Sequence, residues 1–418
     1  MVAVAVGLDQ PASPPAPPGL LGRLERTASP RARVLLAALN LAVVGCYLLS
    51  FRHGVGFGRY RIDLDVYRIG SQVWLRHGEL YGVLPLTSSG VRLPYSYPPI
   101  AAVALSPLTL MPMAVAGVLL TLASVALTAV VLRLFLRYGA GAKSWWLVGW
   151  LLPAALLLEP VRNTLNYGQV NILLMALVAA DCLLPETRWP RGALVGLAAA
   201  VKLTPAAFVL FFLCRGDRRA AGTSALSFAA CTAAGFALDW HDSVRYWTSI
   251  IVQTGRPGSP WFCANQSIQA VLARAGLDPH SRAGTVTWLV LCAVVLMLAW
   301  CGMRRARAAS DDAWALSLNA FAALLISPIS WSHHWVWAGP AMLLLAVRGL
   351  RERRRAMLAA ALAALAVFAA GPQWLFPHTE HRELHWAAWE QVIGGSYVIL
   401  AVVILLVSAC RKPVAHQR

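Results

Sequence analysis

Apolar runs long enough to cross a lipid bilayer recur along this chain, and they constrain its fold more than any other feature. A transmembrane helix needs about 20 mostly apolar residues. Such stretches begin at Val34–Phe51 and end at Val392–Cys410. Between them lie Ile100–Leu136, Trp145–Leu158, Val170–Leu184, Ala193–Leu213, Ala220–Leu238, Thr285–Cys301, Ala313–Ile329, Trp335–Val347 and Met357–Phe376, several of them short of that length. Pro107 and Pro112 divide the first of these into a short helix, a turn and a full helix from about Ala114. The expected fold is all-α and integral to the membrane, a polytopic bundle of about 12 transmembrane helices.

Composition supports that class and excludes others. The 418 residues are 58% hydrophobic and 13% charged, outside the range of a soluble domain on both counts. Lys and Arg total 36 against 18 Asp and Glu. These cations sit in short clusters between apolar runs, the pattern of positive-inside loops and not of a nucleic-acid surface. The eight cysteines form no CxxC pair, and all but Cys263 fall in or beside apolar runs. They read as small hydrophobes, not as a disulfide frame or a metal site.

The expected organisation is a disordered basic cytoplasmic tail over residues 1–33, one membrane domain over 34–410 and a second cytoplasmic tail over 411–418. Val2–Leu8 lacks the basic region that precedes a signal peptide's apolar core. Two long polar connections, about 52–95 and 239–284, then fall outside, as does Ser327–Trp335. Arg304, Arg305, Arg307, Arg348 and Arg351 fall inside, in agreement with the charge rule. The cluster Arg133, Arg137 and Lys143 does not, because this count places it outside.

Several polar groups stand where an apolar chain must account for them. In the first connection, Arg61-Ile62-Asp63-Leu64-Asp65-Val66-Tyr67-Arg68 holds two of the scarce acids. Residues two apart do not face each other on a helix or strand, so Asp63 and Asp65 are not expected to act as a dyad. One can serve as a base while the other binds Arg61 or Arg68. Equally, both can cap a short helix in a solvated loop.

Ser327-Pro328-Ile329-Ser330-Trp331-Ser332-His333-His334 closes one apolar run and opens the next. Trp331 with His333 and His334 suits either an aromatic belt or a sugar-stacking platform with imidazole donors. Adjacent histidines lack the spacing of a helical zinc pair, so no metal is expected.

Asn166, Gln169 and their neighbours form a polar island between two apolar runs. At membrane depth such groups need partners or a cavity. Lys202 sits inside Ala200-Val201-Lys202-Leu203-Thr204-Pro205, with apolar residues on both sides, and an intramembrane lysine is a functional candidate by default. Asn265 and Gln266 open an Asn-Gln-Ser sequence that also fits a glycosylation acceptor.

Taken in order, Asp63–Tyr67, Tyr97-Pro98-Pro99, Gly168-Gln169-Val170-Asn171, Lys202-Leu203-Thr204-Pro205, Asn265-Gln266-Ser267 and Ser330–His334 resemble glycosyltransferase family 87. The resemblance runs from about Arg61 to Val347. It implies a type C glycosyltransferase fold with its active site at the outer face of the cell membrane. The implied donor is a polyprenyl-phosphate-linked mannose, the acceptor a glycolipid or lipoglycan, and the expected linkage α-(1→2). No cofactor is implied.

By the same resemblance Asp63 is the catalytic base and His333 or His334 belongs to the site. Tyr67, Asp65, Asn166, Gln169, Lys202, Asn265, Gln266 and Trp331 become candidate substrate contacts. Arg61 and Arg68 are candidates to stabilise charge growing on the leaving phosphate. Two rivals remain: an arabinofuranosyltransferase with a polyprenyl-phosphate-arabinose donor, and a transporter or lipid flippase. The second predicts internal repeats, and none is visible.

Overall fold

The computed structural model describes Gly22 and residues 29–53, 61–253, 255, 256 and 258–410. Nearly all of the N-terminal tail and the whole of 411–418 lie outside those residues. The described chain is helical, its one extended pairing being an isolated antiparallel bridge between Asn265 and Trp331. Among the described residues, five helices are long and apolar enough to cross a membrane, or up to seven counting two bent pairs as single spans. Shorter apolar helices fill in between.

The path alternates between two ends. Helix α1 (Pro30–His53) runs to an end where Tyr47 donates to the Leu156 carbonyl. Helix α2 (Ile62–Leu75) stays at that end, and so does the short α3 (Pro99–Leu105) with the 3-10 turn Ser106–Leu110. Helix α4 (Met113–Ala140) then crosses to the other end, and α5 (Trp145–Leu157) returns.

A broken span follows, α6 (Glu159–Tyr167) and α7 (Asn171–Leu183), bent by 120°. Helix α8 (Ala193–Val201) rises to Lys202. There the chain turns through the 3-10 segment Thr204–Phe208 into α9 (Val209–Arg215) and descends. Then come α10 (Arg218–Leu238), α11 (Trp240–Thr248), α12 (Ile268–Arg274), α13 (Arg282–Ala308) and α14 (Asp312–Ile326). The chain closes with α15 (Ala338–Arg351), α16 (Arg355–Ala370), α17 (Ala388–Gly394) and α18 (Ser396–Cys410).

Sequence chemistry explains the breaks. Pro98 and Pro112 precede helix starts and Pro99 opens α3, all positions where a missing N–H costs nothing. Ser144, Asp217, Asp239, Ser281 and Asp311 cap their helices through side-chain acceptors. Surfaces of α1, α10 and α13 leave Leu41, Leu226 and Met297 exposed, as helices bathed in lipid must. Aromatic residues fill the interior around Phe321, Trp335, Phe368 and Tyr397.

This path differs from the expected one at two places. Pro99–Leu110 folds back at one end instead of crossing: Arg68 on α2 donates to Met111 O at 2.6 Å and to Leu108 O. Ala193–Leu213 forms a hairpin instead of a single crossing, since Asp181 Oδ1 accepts from Gly192 N at 2.9 Å while Arg215 reaches Cys182 O at 3.4 Å.

The first difference moves Arg133, Arg137 and Lys143 to the end that carries the other basic clusters. There Arg348 Nε donates to Gly139 O at 2.9 Å and Nη1 pairs with Asp311 at 2.6 Å, and Arg351 donates to Ala140 O. The charge pattern that the simple count could not reconcile is therefore consistent.

Candidate active site

The polar connections gather at the end opposite the basic clusters. Leu80 N donates to Asp242 Oδ2 at 2.8 Å, Arg245 pairs with Glu79 at 3.1 Å, and Trp261 Nε1 donates to His381 Nδ1 at 3.0 Å. Among them α2 places its first turn. Asp63 and Asp65 lie roughly 200° apart around that helix, and they face different surroundings. Asp65 accepts from Ser88 N at 2.8 Å and Ser88 Oγ at 3.0 Å, holding the segment after Leu84. Asp63 faces inward.

Two cavities meet at Asp63. The first, about 310 Å³, is lined by Asp63, Tyr67, Tyr97, Gln169, Lys202, Arg256, Trp331, His333 and His334 among others. The second, about 420 Å³, is lined by Asp63, Tyr167, Trp261, Phe262, Trp331, His333, His378 and Glu380 among others. The surface left to Asp63 thus faces the two cavities. Burial pushes its carboxyl up to about 6, against the opposing pull of a Gln169 hydrogen bond and the Lys202 ammonium.

Gln169 reaches this position because of Gly168. The chain leaves α6 through Gly168 at φ +70°, and a Cβ there would meet Leu64 Cβ at 2.7 Å. Only glycine combines that dihedral with so close an approach to α2. Tyr67 donates to Gln169 Oε1 at 2.6 Å, and Tyr97 to the same oxygen at 3.4 Å. With its oxygen accepting from two tyrosines, the amide turns its N–H₂ group toward Asp63.

Lys202 is held at the tip of its hairpin. Its Nζ donates to Asn171 Oδ1 at 2.9 Å, stands 3.1 Å from His334 Nε2, and lies 5.6 Å from the Tyr97 ring centroid. His334 Nδ1 and His333 Nε2 are buried without a partner among the described residues. Both imidazoles therefore have an uncommitted nitrogen in rings that line the first cavity. A buried polar atom in that state calls for an explanation, and a ligand in the cavity is one.

The histidine segment itself is clamped. Ser332 N donates to Ala264 O at 2.7 Å and Gln266 N to Ser330 O at 2.8 Å. His333 O accepts from Thr164 Oγ1 at 2.8 Å and Asn171 Nδ2 at 2.9 Å. Ser332 Oγ donates to Glu159 Oε1 at 2.6 Å.

The structure thus brings Asp63, Tyr67, Gln169, Lys202, Trp331, His333 and His334 together and uses the other candidates elsewhere. Arg61 is 1% exposed; its Nη2 donates to Thr121 Oγ1 at 3.0 Å and Tyr47 O at 3.4 Å, tying the start of α2 to α1 and α4. Arg68 holds the fold-back described above. Both depart from the expectation that they face a leaving phosphate. Asn166 lines neither cavity.

Asn265 and Gln266 also serve the scaffold instead of lining a cavity. Asn265 Nδ2 donates to Pro260 O at 2.8 Å and its Oδ1 accepts from Ser330 N at 2.8 Å. Gln266 Nε2 donates to Cys263 O at 2.9 Å and Gly394 O at 2.8 Å. Each uses its amide to satisfy buried backbone.

Sequence reading missed Arg256, Tyr246, Trp261, Phe262 and His378 as cavity residues. A usable signal existed for Arg256, the one charged residue between Gln253 and Asn265. Nothing in the sequence distinguishes His378 from the other histidines around it.

These features define a multi-pass membrane enzyme whose ionisable site sits at one end of its helices. Residues 95–328 match Glycosyltransferase family 87. The chain is 41% identical over 84% of its length, and 85% of the relative's, to a polyprenol-phosphate-mannose-dependent α-(1-2)-phosphatidylinositol mannoside mannosyltransferase of Mycolicibacterium smegmatis. A protein of the same description from Mycobacterium tuberculosis is 38% identical over 90% of this chain and 89% of its own. The chain belongs to glycosyltransferase family 87 and is a glycosyltransferase, which removes the transporter reading. The crystal structure of ArnT from Cupriavidus metallidurans bound to undecaprenyl phosphate aligns over 91% of this chain and 78% of its own. It does so with a TM-score of 0.43 at 16% identity.

Proposed function

We propose that this enzyme transfers mannose from polyprenol-phosphate-mannose to a phosphatidylinositol mannoside through an α-(1→2) linkage, with Asp63 as general base. The observation that carries the reading is that Asp63 borders both cavities. A donor in the first and an acceptor in the second would bring the anomeric carbon and the attacking hydroxyl to one carboxylate. Asp63 takes the hydroxyl proton as the new C–O bond forms, and the bond from C1 to the phosphate oxygen breaks. The lipid phosphate leaves as a stabilised anion, so no general acid is required. Inversion follows from a single displacement.

Cation placement supports putting the donor phosphate in the first cavity, where Lys202 and Arg256 stand beside the paired imidazoles. Its lipid chain has a route. A narrow cavity of about 50 Å³ continues past Lys202 and His334 among Met175, Phe208, Ala323 and Trp337. An apolar groove of about 270 Å³, also touching Ala323, runs on between Leu210, Leu213, Leu296 and Ile326. An isoprenoid tail fits such surroundings. The second cavity offers Tyr167, Trp261, Phe262 and Trp331 to stack on acceptor sugar faces. The basic clusters at the opposite end support, by the charge rule, a cytoplasmic position for that end and an outer-face site.

The test is transfer by the purified chain in lipid, given polyprenol-phosphate-mannose and phosphatidylinositol mannosides of defined size. Linkage analysis should find new α-(1→2) mannose. Transfer from a pentose donor alone would establish the arabinofuranosyl rival.

The pH dependence has a definite sign. A base must be ionised, and burial raises the Asp63 carboxyl to about 6. Log kcat/KM is expected to rise with unit slope below about pH 6 and level off above it. A flat profile from pH 5 to 7 would remove Asp63 as the titrating base.

A further inference from the structure

We propose that Glu159 is a positioning residue for transfer, acting on the paired histidines through Ser332; the proposal rests on the reading of the site just given. Glu159 opens α6 with no exposed surface. Its Oε1 accepts from Ser332 Oγ at 2.6 Å, Trp374 Nε1 at 2.7 Å and Asn163 Nδ2 at 2.7 Å, and its Oε2 accepts from Tyr397 OH at 2.8 Å. A carboxylate is the one side chain that can take four donors at once without offering a proton of its own.

One of those donors matters for the chemistry. Ser332 immediately precedes His333, whose carbonyl completes the grip: Thr164 and Asn171 both donate to His333 O. Asn171 in turn accepts from Lys202, which touches His334. A single path of bonded contacts thus runs from Glu159 to the cation of the first cavity. Glu159 touches neither cavity, so it works by fixing where the imidazoles and the ammonium stand.

A displacement of about 1 Å can cost about a hundredfold in rate. Glu159→Ala and Ser332→Ala should each lower kcat by about ten- to a hundredfold, leaving the donor KM within about threefold. Because both break the same link, the double variant should be no slower than the slower single. Glu159→Gln keeps a carbonyl for the three donors on Oε1 and lets the Tyr397 hydroxyl accept instead, so it should recover most of the rate. Tyr397→Phe deletes one hydrogen bond to Glu159 while keeping the ring that packs on Trp335, and should stay within about twofold of wild type.

Hydrogen exchange over residues 330–337, measured on the same membrane-reconstituted proteins, gives a readout independent of turnover. It should quicken in Ser332→Ala and not in Tyr397→Phe. The wild-type control reports whether mannose transfer occurs at all, which separates failure of the functional reading from failure of this one. Multiplicative losses in the double variant, or equal losses in Tyr397→Phe and Ser332→Ala, would overturn the proposal. So would unchanged exchange and rate in Ser332→Ala. If Glu159→Ala does not accumulate, Ser332→Ala, Glu159→Gln and Tyr397→Phe decide the matter.

Discussion

Asp63→Asn is expected to lower kcat for mannose transfer by about 10²- to 10⁴-fold, the usual range for removing a general base. The substitution preserves shape and leaves an oxygen for the Gln169 amide, so donor and acceptor KM should change little. Stability moves the other way. A carboxyl raised to about 6 by burial is harder to ionise in the folded than in the unfolded chain. Its penalty is absent below its ordinary value, grows as pH rises toward 6, and is fully present at pH 7. Asp63→Asn removes that penalty and should melt no lower than wild type at neutral pH. Slow transfer from an undiminished fold is the signature of a functional acid, not a structural one.

Asp65→Asn supplies the contrast. Asp65 accepts from Ser88 twice, and hydrogen bonds to a charged acceptor contribute about 1.5–3 kcal/mol each. That variant should lose melting temperature with a much smaller change in kcat. A result with the two roles exchanged would move the base to Asp65.

Lys202→Met is the second large effect, an expected loss of about 10²- to 10³-fold in kcat/KM for the donor. Charge develops on the departing phosphate, and a preorganised ammonium stabilises it at little reorganisation cost. Methionine keeps the length and the apolar stem while deleting the charge. The loss should divide between kcat and the donor KM, because the phosphate is anionic in the ground state as well as in the transition state. Acceptor KM should be unaffected. Lys202→Arg is not expected to rescue, since a planar fork cannot reproduce the single-point contacts to Asn171 and His334. Donor kinetics left unchanged by Lys202→Met would place the phosphate elsewhere and make Arg256 the next cation to test.

Much of the architecture was legible because membrane helices announce themselves locally. Apolar length, prolines at helix starts and basic clusters at one end are properties of short windows, and they located most of the helices within a few residues. Where they misled, the cause was also local. Pro99–Leu110 is apolar enough to cross, and only the Arg68 contacts show that it folds back. Ala193–Leu213 reads as one run because Lys202-Leu203-Thr204-Pro205 interrupts its helix without interrupting its hydropathy enough to show.

The site divides in the same way. Gln169, Lys202, Trp331, His333 and His334 could be chosen from the chain because polar groups in apolar surroundings must have partners or a purpose, and Asp63 by its place in the family's motif. Arg61, Arg68, Asn265 and Gln266 met the same criterion, yet their purpose is to satisfy backbone and hydroxyl groups inside the scaffold. Charge and polarity alone cannot tell a ligand for substrate from a ligand for the protein's own carbonyls.

From the residues alone came a multi-pass helical glycosyltransferase of family 87 and the short set of side chains from which its site is drawn. Packing then chose which aspartate faces the cavities, let Gln169 reach Asp63 past Gly168, and joined Glu159 to Tyr397 from 238 positions away. Burial preference is carried by each residue and its neighbours, so it can be read in order along a chain. A hydrogen bond between distant segments exists only once the helices between them have packed.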